Sequence, residues 1–119
     1  MAGDAYNTIQ KFWQIQNAGD YRKTVELFAE NGVIEDPIYG RFEGIEAIGG
    51  FMAKMVEVIG GQNMRFELVQ LSGDETTAWA QWKMIAPDRE VNGCGVYKVS
   101  ASRITYYRDY IDAPEQTSI

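Results

Sequence analysis

The chain has 119 residues, enough for one domain with one core and too short for two. Its composition is 45% hydrophobic, 13% aromatic and 24% charged, which excludes a disordered chain. Eleven Lys and Arg against seventeen Asp and Glu leave a net charge of −6, with no basic cluster, so no nucleic-acid partner is expected.

No apolar run reaches the ~18 residues of a membrane span, and no signal peptide is visible at the start, so no membrane association is expected. Cys94 is the single cysteine. It cannot form an intrachain disulfide, and a cytoplasmic location is the expectation. Histidine is absent. Ser-His-Asp and Cys-His catalysis and His-bound zinc are thereby excluded, and no metal-ligand spacing or cofactor motif is found. Acid–base chemistry near neutral pH must then rest on carboxyl groups.

In chain order, Asp4 is placed to cap a first helix, with Ile9, Phe12, Trp13 and Ile15 at helical spacing. Ala18-Gly19-Asp20 ends it. Tyr21, Val25, Leu27 and Phe28 form the stripe of a second helix, stopped by Asn31-Gly32. Val33–Asp36 reads as a short strand ended by Pro37, and 39–44 as a turn with a short strand. Ile45, Ile48, Phe51, Met52, Met55, Val56 and Ile59 mark a third helix, closed by Gly60-Gly61. The period then changes to two. Strands are expected over 64–71, 76–85, 91–99 and 103–111, separated by turns at 72–74, 86–88 and 100–102. Three helices followed by a meander of long strands is an α+β pattern, with one domain over 1–119 and a short polar tail at 113–119.

Two stretches carry a resemblance. Phe28-Ala29-Glu30-Asn31-Gly32-Val33-Ile34-Glu35-Asp36-Pro37, with Gly40 and Gly44-Ile45-Glu46-Ala47-Ile48, resembles the first half of the nuclear transport factor 2-like (SnoaL-like) superfamily. That superfamily includes ketosteroid isomerases, polyketide cyclases and limonene epoxide hydrolases. Gly95–Val99 and Arg103–Asp112 look most like the last strands of the limonene epoxide hydrolase branch. The resemblance implies a cystatin-like conical barrel: three N-terminal helices packed on a strongly curved, mostly antiparallel sheet, with a deep apolar pocket.

Position by position, the resemblance puts Asp109 at the water-activating aspartate of the epoxide hydrolases. Trp79 and Gln81 stand where that branch has an Arg and its partner acid. In the isomerases the base matches Asp36, the oxyanion tyrosine becomes Phe12, and the second donor falls near Gly95. The resulting expectation is carboxylate acid–base catalysis by Asp109 and Asp36 with Gln81 nearby, most like epoxide hydrolysis. The alternatives are a proton-transferring isomerase or cyclase with Asp36 as base, and a non-catalytic binder. Phe12, Ile34, Tyr39, Phe51, Met55, Trp79, Tyr97 and Tyr107 are expected to line the site. The partner would be a small terpenoid, steroid or polyketide-like molecule. Trp82 and Met84 are expected on the outer sheet face, as the contact of a homodimer.

Overall fold

A computed structural model describes residues 3–112; the tail at 113–119 lies outside them. The elements are α1 (Asp4–Asn17), a 3₁₀ helix (Tyr21–Leu27), β1 (Phe28–Asp36), β2 (Gly40–Glu43), α2 (Ile45–Gly61), β3 (Arg65–Gly73), β4 (Thr77–Ala86), β5 (Arg89–Ser100) and β6 (Arg103–Ile111). The six strands form one mixed sheet in the order β2-β1-β6-β5-β4-β3. Only β1 and β6 pair in parallel. The sheet is open, not a closed barrel: β2 and β3 are its two edges.

The helices pack on one face of this sheet. On α1, Ala5, Ile9, Phe12 and Trp13 recur at helical spacing and are all buried. On α2 the buried stripe is Ile48, Phe51 and Met52. The sheet answers with Ala78, Ala80, Trp82 and Met84 on β4 and Tyr97 and Val99 on β5, every second residue, and with Ile104 and Tyr107 on β6, where the β5–β6 register shifts between Lys98 and Val99.

Three expectations are corrected. The second helix is a 3₁₀ turn, and the chain enters β1 at Phe28, before the Asn31-Gly32 that was to stop a helix. The pairing of β1 with β6 absorbs this through a register shift between Phe28 and Val33. Asp4 is the first residue of α1 and makes no cap. The first N–H groups of α1 are satisfied by the β3–β4 turn, Ala5 donating to the Glu75 carbonyl (3.1 Å) and Tyr6 to that of Asp74 (3.1 Å). The Asp4 carboxylate instead accepts from the Ser102 backbone N–H (2.8 Å) and hydroxyl (2.7 Å). Those bonds hold the β5–β6 turn, where Ala101 and Ser102 take positive φ (50° and 60°) without a glycine.

The third correction concerns β4. Trp82 and Met84 lie on the helix-covered face, and Trp79 and Gln81 are exposed on the other. A one-residue shift in the assumed register turns every side chain of a strand to the opposite face. The expected homodimer therefore loses Trp82 and Met84 as its contact.

Candidate active site

Register places the site. Asp109 on β6 stands opposite Gly95 on β5, and Gly95 opposite Ala80 on β4. Tyr107, Asp109 and Ile111 alternate onto the face toward the helices. Two residues along β4 from Ala80, Trp82 stands opposite Gly93.

Both glycines are there for space. A Cβ on Gly93 would lie 2.3 Å from the Trp82 ring. One on Gly95 would lie 2.8 Å from the Tyr97 hydroxyl and 3.0 Å from Asp109 Oδ1. Gly93→Ala is therefore expected to displace the indole and destabilise the fold by about 1–3 kcal/mol, read by urea unfolding. An unchanged midpoint would show that the indole moves freely.

Asp109 is held from both sides. The Tyr107 hydroxyl donates to Oδ2 (2.7 Å) and the Trp82 indole N–H to Oδ1 (3.2 Å). Behind them, the Trp13 indole N–H donates to the Tyr97 hydroxyl (3.2 Å), and the Tyr97 ring stacks on Tyr107 at 4.5 Å. Burial pushes the Asp109 carboxyl up to about 7, and the Asp36 carboxylate pushes in the same direction. The Tyr107 and Trp82 bonds oppose this without cancelling it. Burial, then the charge of Asp109, holds Tyr97 and Tyr107 above the usual phenol range, so both stay hydroxyl donors.

Asp36 closes β1. Its Oδ1 accepts from the Ile38 (2.8 Å) and Tyr39 (2.9 Å) N–H groups, a turn that fixes the carboxylate. The same side chain borders the cavity that Asp109 lines. Its turn role and its site role therefore coexist.

The cavity measures about 300 Å³. Its walls are largely apolar, with Phe51 and Met55 from α2, Phe66 from β3, and Trp82 and Met84 from β4. Of the residues expected to line it, Tyr39, Phe51, Met55 and Tyr107 do. Phe12, Ile34 and Tyr97 are instead sealed in the core behind it, 0–2% exposed. Gln81 and Trp79 point away, so Gln81 stands with neither carboxyl group. Trp82 was missed as a site residue. Its signal was the Gly93-Cys94-Gly95 spacing on the next strand, two missing side chains on one face that must be filled from elsewhere. Among the described residues no group of three or more His, Cys, Asp or Glu is gathered as a metal site.

The sequence pattern of the SnoaL-like domain matches residues 9–107, most of the chain. The chain belongs to the SnoaL-like domain family. Solved structures agree with the fold. One described as a "putative ketosteroid isomerase" from Kribbella flavida superimposes with a TM-score of 0.82 at 14% identity, covering 98% of this chain and 83% of that one. An NTF2-like protein of unknown function from Mesorhizobium loti gives 0.77 at 22% identity, covering 92% of each. A "putative polyketide cyclase" from Sinorhizobium meliloti gives 0.73 at 19% identity, covering 87% of this chain and 94% of that one. No curated protein matches the sequence. In this SnoaL-like domain both carboxyl groups, each partly buried, line one largely apolar cavity.

Proposed function

We propose that this SnoaL-like domain is an enzyme that moves a proton on a small, largely apolar carbonyl compound, in the manner of an isomerase or cyclase. The observation that carries the reading is Asp109: a carboxyl group brought to about 7 inside an apolar cavity that it shares with Asp36. Near neutral pH such a group keeps much of its proton and can donate it as a hydrogen bond. Asp36, fixed through Oδ1 by two backbone N–H groups, is the base.

In the proposed step, a C–H bond beside the carbonyl breaks and its proton goes to Asp36. The electron pair moves into an enolate, whose oxygen accepts a hydrogen bond from protonated Asp109. Return of the proton to a second carbon completes an isomerisation; attack of the enolate carbon on a second carbonyl makes a ring, its C=O π pair going to an alkoxide that takes the proton back from Asp36. The Tyr107 and Trp82 donors are turned onto Asp109 and serve to hold it. The structural neighbours described as a "putative ketosteroid isomerase" and a "putative polyketide cyclase" support this reading in kind.

A second reading is water addition to an epoxide. It is favoured by the Arg108-Asp109-Tyr110-Ile111-Asp112 strand, with Asp109 as the base that activates water. Because Gln81 faces away, Asp36 would then have to protonate the epoxide oxygen.

The test is a panel of enones, β-keto compounds and epoxides given to wild type, Asp36→Asn and Asp109→Asn. The proton-transfer reading expects enone or β-keto turnover, lost with Asp36→Asn by about 10²–10⁴-fold. Epoxide turnover without enone or β-keto turnover, lost with Asp109→Asn and lowered with Asp36→Asn, establishes the hydrolase instead. Binding of these compounds with no turnover in any form would leave a carrier and overturn both.

A further inference from the structure

We infer that the substrate of this cavity is a monoanion, an elongated apolar molecule whose carboxylate is held at the rim by Arg89. The inference rests on the cavity being the substrate site and goes on to name what enters it.

Among the described residues only three charged side chains line the cavity, Asp36, Asp109 and Arg89. Arg89, Val91, Gly93 and Gly95 alternate onto one face of β5, and Gly95 stands opposite Asp109. Six residues of strand separate Arg89 from that level, about 20 Å along the chain. The two acidic groups and the one cation thus occupy opposite ends, with Trp82, Met84 and Phe66 on the wall between them.

The guanidinium is placed rather than loose. Its Nη2 donates to Gln62 Oε1 (3.1 Å), just past the end of α2, so it bridges the rim from sheet to helix. Its Nη1 donates to Asp88 (3.1 Å), a side chain 78% exposed, and such a pair exchanges cheaply. Five N–H donors against two acceptors leave three for a ligand. A carboxylate matches that fork.

Charge then fixes orientation. An anionic end sent inward would meet the Asp36 carboxylate, whereas at the rim it meets a cation, so the carboxylate stays at the rim while the apolar body and its reacting oxygen go in. In a chain of net charge −6, a local cation is what makes an anionic ligand acceptable at all.

The test is fluorescence titration near neutral pH with decanoate and with 1-decanol, which share the chain and differ in charge. The ratio of the two dissociation constants in wild type is compared with that in Arg89→Ala and Arg89→Glu. Arg89→Ala is expected to shift the ratio against decanoate by about tenfold, Arg89→Glu by more, with 1-decanol little changed. A ratio constant within about twofold, or no binding of either compound to wild type, overturns the proposal. Turnover of neutral carbonyl compounds with a flat ratio would sink this inference alone. A shifted ratio with no turnover would sink only the catalytic reading.

Discussion

Asp109→Asn is expected to remove a protonation step near pH 7 and to lower turnover by about 10²–10⁴-fold. The step should be visible without any substrate, because the Trp82 indole donates to Asp109 and its fluorescence reports the charge there. The direction of the pH–rate limb separates the two chemistries. If Asp109 donates its proton, turnover falls as pH rises through about 7. If it is the base that activates water, turnover rises through the same pH. A flat fluorescence titration between pH 5 and 8 would mean that the carboxyl titrates in the ordinary range and that neither role is available near neutrality.

The same shift has a stability consequence of definite sign. The carboxyl is raised in the folded chain from 3.8 to about 7, so between those values the folded state holds a proton that the unfolded state has released. Its contribution is present in full below about pH 4 and is lost as pH rises through about 7. Wild type should therefore lose stability across that window, by a few kcal/mol at most from this group. In Asp109→Asn that part of the slope disappears.

Phe12→Ala is expected to cost about 3–5 kcal/mol, a large share of the ~5–15 kcal/mol that holds a domain folded. Phe12 is fully buried and its ring meets those of Trp13, Phe28, Tyr97 and Tyr107, with centroids 5.8–6.4 Å apart. Removing it opens a hole behind Tyr107, the residue that holds Asp109. Phe12→Leu should cost less, since most of the volume remains. Urea unfolding measures both. A loss below about 1 kcal/mol for the alanine variant would return Phe12 to the cavity wall, where the family resemblance had put it.

Much was legible because it was local. The change of period from 3.6 to two after Gly61 marks where helices end and the strand meander begins. Each strand from β3 to β6 was located to within about two residues, since alternation and turn residues are written in the chain itself. The 3₁₀ turn was not legible: Tyr21, Val25, Leu27 and Phe28 satisfy a helical stripe, and only pairing with β6 draws Phe28 into a strand. Asp4 likewise looks like a cap, and only the arrival of Ser102 across the molecule gives its carboxylate a different partner.

The sequence by itself determined the α+β class, the restriction to carboxyl chemistry in a chain without histidine, and the candidacy of Asp36 and Asp109. The first two follow from periodicity and composition and the third from the family resemblance, none of which needs to know which strand lies beside which. The tertiary structure alone decided that Trp82 faces inward and Gln81 outward, that Phe12 and Tyr97 are core, and that Arg89 stands at the rim. A strand's alternation is the same whichever face is covered. Only register against Gly93 and Gly95, and the helices laid across one side, breaks that symmetry.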